Sequence, residues 1–190
     1  MMKKIFILSV IVIGTFFKNT HAQTVNFGAK AGVNISTFHG NRSSNPIDRN
    51  SLVGVHAGFI AEARISDFFA LQPELLYSRV GVEEENVVKF RLDYIIIPIM
   101  AKFYLVDKLS VDVGPQFGFL INDIAKFNDD DAAKFDTDAS TFEFAINTGI
   151  GINISEKWFS QVRYSFGITT ISENPDIKNG VLQLSIGHKF

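Results

Sequence analysis

The sequence contains no cysteine, no excess of one charge sign and, beyond its first two dozen residues, no long apolar run. Without cysteine, neither a disulfide framework nor a cysteine-linked lipid anchor is available. Since no stretch of about 18 apolar residues follows residue 22, any membrane span there must be made of strands. The 18 basic and 20 acidic residues nearly cancel, so nothing in the charge points to nucleic acid.

The first 22 residues have the three parts of a secretory signal peptide. Positive charge at Lys3 and Lys4 comes first, residues 5–13 are apolar, and Thr20-His21-Ala22 precedes Gln23. The apolar run is shorter than the roughly 20 residues that a membrane-spanning helix needs. We therefore predict a signal peptide over residues 1–22 and a single domain over residues 23–190.

Apolar and polar residues alternate along eight segments of that domain, which is the period of a β-strand with two different faces. The predicted strands are residues 25–38, 52–65, 69–82, 92–105, 109–122, 140–154, 158–168 and 181–190. Their connections alternate between long and short, as in outer-membrane barrels with short periplasmic turns and long outer loops. The first and last strands are expected to pair. The prediction is an all-β protein, an eight-stranded antiparallel up-and-down transmembrane β-barrel.

The glycines indicate which face of the strands points inward. Most of them fall on the polar face: Gly28, Gly32, Gly54, Gly58, Gly114, Gly118, Gly149, Gly151, Gly167 and Gly187. Small residues are needed where backbones crowd inside a narrow barrel, whereas a water-facing exterior favours long charged side chains. The polar face is therefore predicted to line the lumen, and the apolar face to meet lipid. The fourth strand is apolar throughout, and we place Ile95 and Ile97 outward because that turns Lys102 inward.

Aromatic residues near the strand ends are typical of the two girdles of a membrane barrel. Those expected at the periplasmic end are Phe27, Phe69, Phe103, Trp158 and Phe190, and those at the outer end are Tyr77, Phe119, Phe142 and Phe166.

Charged residues on the polar face predict a lumen closed by ion pairs. They are Lys30, Glu62, Arg64, Glu74, Lys102, Asp112, Glu143, Arg163 and Lys189. Charges removed from water persist when they are paired, and these nearly balance. All except Glu143 are expected in the periplasmic half. This pattern favours a side-chain plug over a conducting pore or an ion path.

Four stretches, FGAKAGVN (27–34), LQPELLYS (71–78), YIIIP (94–98) and RYSFGI (163–168), resemble recurring motifs of the PorT-like outer-membrane β-barrel proteins. The resemblance covers essentially all of residues 23–190. It implies an eight-stranded outer-membrane barrel but no activity, since most members have none assigned and the founding type is linked to protein secretion. Where members often carry an acidic residue this chain has Ile96, which implies that one interior pairing is lost.

Catalytic candidates are few. A hydrolase at the outer rim would need a base, an orienting carboxylate and a nucleophile. Of the histidines after residue 22, only His39 is placed for this role, with Asp48 or Ser43 as partners; His56 is expected in the lumen and His188 outside at the periplasmic rim. A solvated loop histidine is the more ordinary interpretation, so we predict no enzyme, with an outer-membrane lipid or peptide hydrolase as the alternative.

An acidic loop at residues 123–139 is the one candidate for cation binding. It contains Asp129, Asp130, Asp131, Asp136 and Asp138, whose oxygens could hold calcium. The loop lacks the Asp-x-Asp-x-Asp-Gly spacing of a calcium loop, and runs of like charge usually form solvated segments. We therefore predict no metal site and no cofactor.

Together these patterns predict an outer-membrane barrel with a filled lumen and a structural or accessory role. Outer-membrane lipid is the expected surrounding, and a protein partner would bind at the loops or the periplasmic rim. The barrel is expected to be monomeric, and the role could be linked to secretion or to surface binding through the outer loops.

Overall fold

The computed structural model describes residues 24–40, 49–84, 88–127, 140–170, 172–173 and 176–190. These residues form nine strands: β1 (Thr24–Gly40), β2 (Arg49–Arg64), β3 (Phe69–Glu84), β4 (Val88–Val106), β5 (Leu109–Phe127), β6 (Phe142–Asn153), β7 (Trp158–Gly167), β8 (Ser172–Glu173) and β9 (Asp176–Lys189). None of the described residues forms a helix long and apolar enough to cross a lipid bilayer. The proposed signal peptide lies outside the described residues.

Eight of the strands close the barrel. Strands β1 to β7 pair in sequence order, each antiparallel to its neighbour. Strand β7 then pairs with β9, and β9 pairs with β1. The short β8 pairs only with the first residues of β9. The predicted eight-stranded antiparallel barrel is confirmed, with β9 as its closing strand.

On the outer side of the barrel, several strands are longer than predicted. Residues 169–179 were expected to be a loop, but β9 begins at Asp176, because β1 continues to Gly40 and offers Ile177 a partner. The charged segment 83–89 was also expected to be a loop, yet Glu83 pairs with Lys89 across β3 and β4. Strand β5 likewise continues to Phe127, into the predicted acidic loop. Backbone pairing satisfies N–H and C=O groups even where side chains are polar. Hydropathy alone therefore predicted strands that were too short.

The periplasmic turns are short, as predicted. Strands β4 and β5 are joined by Asp107 and Lys108 alone. In the β2–β3 turn, the Ile65 and Ser66 amides both donate to the Phe69 carbonyl at 3.0 Å. These turns hold neighbouring strands in register.

The two faces of the wall are sorted as the glycine argument predicted. Apolar side chains on the outside are widely exposed, with Val53 at 68% and Phe59 at 65%. On the fourth strand, Ile95 and Ile97 point outward, whereas Lys102 is only 2% exposed inside the lumen. The predicted girdle residues lie on the exterior too, including Phe27, Trp158 and Phe190 at the periplasmic end.

Close backbone approach explains why glycines line the lumen. A Cβ atom on Gly32 would lie 2.7 Å from His56 Cε1 and 2.8 Å from the Cα of Ser185. A Cβ on Gly187 would enter the ring of Phe159, the aromatic side chain that fills the periplasmic end of the bore. Larger residues at these positions would force the strands apart.

Candidate functional site: the lumen and the barrel rims

The periplasmic half of the lumen is organised around Glu74 on β3. Its carboxylate accepts two hydrogen bonds from Arg163 of β7, at 2.7 and 2.9 Å, and lies 2.8 Å from Lys30 Nζ of β1. All three charged side chains are fully buried. A bidentate arginine and a lysine on one carboxylate compensate the buried charge and tie three strands together across the bore.

A second carboxylate, Glu62 on β2, forms the other ion cluster. Lys102 Nζ and Lys189 Nζ each lie 2.7 Å from one of its oxygens, and Tyr104 Oη donates to it at 3.0 Å. Lys189 belongs to the closing strand β9. The cluster therefore ties the closing strand to β2 and β4 at the periplasmic end of the barrel.

Neutral amides join the two clusters into one network. Gln72 donates to Glu74 at 2.7 Å and accepts a hydrogen bond from Lys102 at 3.0 Å. Gln161 accepts from Lys30 at 3.0 Å and donates to Asp112, which Ser110 also contacts. The predicted salt-bridged plug is confirmed in geometry, and it lies in the periplasmic half as expected.

Arg64 is the exception among the predicted lumen charges. It is only partly buried, donates to the Asp67 carbonyl at 2.8 Å and lies over the Tyr104 ring at 4.1 Å from its centroid. It therefore belongs to the periplasmic mouth and not to the plug.

The middle of the lumen is held by His56. Its two ring nitrogens lie 2.8 Å from Asn34 Oδ1 and 2.8 Å from Ser185 Oγ, and the side chain is 1% exposed. With both nitrogens engaged by buried neutral partners, His56 is a structural residue that joins β1, β2 and β9.

The outer half of the lumen is different, because it contains a cluster of buried apolar side chains. The cluster consists of Leu76, Val80, Leu92, Tyr94, Ile96 and Val181. Ile96, for which the resemblance implied the loss of one interior pairing, packs into this cluster at 2% exposure. The interior pairing that an acid would make there is replaced by apolar packing.

These features are those of a small membrane barrel, and the comparisons with known proteins agree. Residues 20–173 match the family model described as outer membrane protein beta-barrel domain. The chain belongs to this family. An outer-membrane location follows from that membership. No curated protein matches this sequence.

Solved structures show the same fold at low identity. Neisserial surface protein A has a TM-score of 0.63 and 15% identity, covering 88% of this chain and all of that one. Ail, the attachment invasion locus protein of Yersinia pestis, has a TM-score of 0.55 and 15% identity, covering 87% of this chain and 98% of that one. At such identities the likeness establishes the barrel architecture of this family member and nothing about its ligands.

An exterior ion pair, which the sequence analysis missed, marks the outer limit of the lipid-facing belt. Arg79 on β3 donates to both carboxylate oxygens of Asp93 on β4, at 2.7 and 3.2 Å, and Asn122 on β5 donates to the same carboxylate at 3.1 Å. Both residues alternate with lumen-facing neighbours, so they lie on the outside. Charged groups are costly in hydrocarbon. From this pair to the periplasmic turn at Phe68 the tilted strand spans about 25 Å, which matches the apolar band of membrane barrels. The sequence signal for this ion pair was the presence of opposite charges on the apolar faces of two neighbouring strands, at Arg79 and Asp93, which the register places side by side.

The candidate catalytic residues are not brought together by the described residues. The backbone of His39 pairs with Lys178 in the barrel wall, and its side chain lies outside the described part, as do Ser43 and Asp48. The aspartates at 129–138 also lie outside it. His188 is on the exterior near the periplasmic end, where it contacts the rings of Trp158, at 4.8 Å between centroids, and Phe190. Within the described residues, no three histidine or acidic side chains are grouped to hold a metal ion.

Proposed function

We propose that this outer-membrane barrel is closed and non-catalytic, and that it acts as a structural or accessory protein through its outer loops or its periplasmic rim. The observation that carries the proposal is the network on Glu62 and Glu74, which spans the bore with buried, mutually compensated charges. A conducting pore needs water along its axis, and this lumen is filled by paired side chains instead.

Planar bilayers test whether the barrel is closed. The purified protein is expected to give no steady single-channel current in 1 M salt, about the strength at which the Debye length falls to roughly 3 Å. A matched variant, Glu74→Ala with Arg163→Ala, removes a charge pair and bulk from the bore and is expected to raise the frequency of current steps. Steady conductance from the unaltered protein would contradict the proposal.

The finer assignment is a PorT-like accessory role in protein secretion. The four motifs described above support it, and three of them each contain one member of the plug, namely Lys30, Glu74 and Arg163. Deletion of the gene is expected to change the set of secreted or surface proteins, and the unaltered gene should restore it. A deletion strain with an unchanged surface and secreted proteome would remove the secretion role.

A hydrolase at the outer rim is the alternative that a variant can separate from the accessory role. The His39→Ala variant is expected to complement the gene deletion as well as the unaltered gene does. His188→Ala is the control at the opposite end of the barrel. Loss of a measured lipid or peptide hydrolysis in His39→Ala alone would overturn the non-enzymatic proposal.

Export through a signal peptide is part of the same proposal. The protein recovered from outer membranes is expected to begin at Gln23, which N-terminal sequencing or intact mass measures directly. A mature protein that retains residues 1–22 would contradict it.

A further inference from the structure

The outer half of the lumen contains a small cavity beside the apolar cluster. Its polar lining comes from Ser78, Tyr94, Gln116, Glu143, Ser165 and Gln183. The cavity volume is about 10 Å³ for the centre of a water-sized sphere. This is room for about one such sphere.

One of the lining residues is a buried carboxylate without a basic partner among the described residues. Glu143 is 6% exposed, and its one hydrogen bond in the described part of the chain comes from Asn179 Nδ2 at 2.9 Å. Among the residues that the structure describes, no lysine, arginine or histidine lines the cavity. The plug carboxylates, Glu62 and Glu74, each have two cations. A buried carboxylate without such compensation is costly.

Further oxygens around Glu143 also lack hydrogen-bond partners. They are Tyr94 Oη, Gln183 Oε1 and Asn179 Oδ1, on side chains that are 1%, 1% and 4% exposed. The amide nitrogen of Gln183 is engaged by Asn34 at 3.3 Å, and that of Asn179 by Glu143, so the oxygen of each amide is the end left over. Buried polar atoms are rarely left unsatisfied, and a bound water or ion is one way in which such atoms are satisfied.

We propose that this cavity binds one monovalent alkali cation, Na⁺, with Glu143 as its charged ligand and with Tyr94 Oη and Gln183 Oε1 as neutral ligands. One carboxylate balances one positive charge. Ca²⁺ takes six to eight oxygen ligands, usually including several carboxylates, which this lining does not offer. The bound cation gives the outer half of the lumen the charge compensation that lysines and arginine supply in the periplasmic half.

The stability of the folded protein in lipid vesicles tests the proposal. Unfolding by urea is measured in NaCl, KCl and choline chloride at equal ionic strength, with zwitterionic lipid. A ligand that binds only the folded state lowers the unfolding constant by the factor 1 + [L]/Kd. At Na⁺ ten times its dissociation constant, the expected decrease is about elevenfold relative to choline.

Two variants separate this site from general salt effects. Glu143→Gln is expected to lose the difference between Na⁺ and choline, while Asp112→Asn, which removes a buried carboxylate from the periplasmic half, is expected to keep it. Should Glu143→Gln fail to fold, Gln183→Leu serves in its place and is expected to shift the Na⁺ dependence to higher concentration. Equal stability of the unaltered protein in Na⁺ and choline would overturn the proposal. A stability that rises on acidification but ignores Na⁺ would also overturn it, because a proton would then be the guest.

Discussion

The two halves of the lumen solve the problem of a narrow bore in different ways. In the periplasmic half, Glu62 and Glu74 are each held by two cations at 2.7–2.9 Å, and amides connect them. In the outer half, apolar side chains pack around Ile96, and the buried carboxylate of Glu143 has no basic partner among the described residues. The first half depends on charge complementarity, and the second depends on packing. The difference predicts that substitutions in the two halves have different costs.

Glu74→Ala should have the largest effect. It leaves Lys30 and Arg163 buried without their carboxylate, and breaking a buried ion pair on one side costs about 3–5 kcal/mol. The free energy of unfolding in lipid vesicles, measured with urea, is expected to fall by about that amount. Glu156→Ala, in an exposed periplasmic turn, is the control and should be neutral. An unchanged unfolding midpoint for Glu74→Ala would show that the plug does not stabilise the barrel.

Lys189→Met should cost less, at about 1–3 kcal/mol, the usual cost of a lost hydrogen bond to a charged group. Glu62 keeps Lys102 and Tyr104 as partners in this variant, and the methionine retains most of the side-chain volume. The same urea titration measures it. The double variant with Lys102→Met removes both lysines and is expected to cost more than the sum of the two single changes, since only then is Glu62 left without a cation. Strictly additive costs would show that the two lysines do not compensate the charge of Glu62 jointly.

Ile96→Val tests the packed half and should cost about 0.5–1.5 kcal/mol, the usual effect of removing one buried methylene from a core. Ile97→Val, one residue along the strand but facing lipid, is the matched control and should be nearly neutral, because lipid fills the space. If the two variants had equal cost, the outer half of the lumen would not be a packed core.

Arg79→Ala should have the smallest effect, about 0–1 kcal/mol, because the arginine side chain is 42% exposed and Asp93, which is 8% exposed, keeps the hydrogen bond from Asn122. Its more specific consequence is positional. A bromine-labelled lipid quenches tryptophan by contact. With Trp158→Phe removing the native tryptophan, Arg79→Trp is expected to be quenched by headgroup-level label and not by label at the bilayer centre. Quenching from the centre would move the boundary of the lipid-facing belt.

Much of the fold could be predicted from residue pattern because a barrel wall has only two environments. Each strand alternates between them with a period of two, and glycine positions such as Gly32 and Gly58 indicated which side was crowded. Charge parity assigned Lys102 to the lumen even where the fourth strand is apolar on both faces. The outer strand ends were not predictable in this way, since pairing there depends on the partner strand and not on hydropathy.

Sequence alone determined the class of fold, the inward face and the lumen charges other than Arg64, because each depends on local alternation along a strand. Tertiary structure decided which charges meet: Arg163 contacts Glu74 from 89 positions away, and Lys189 contacts Glu62 from 127. It also decided that Glu143 is left without a basic neighbour among the described residues, and that Arg79 and Asp93 pair outside the barrel. Those contacts depend on strand register and on closure of the sheet, and neither is encoded within any single strand.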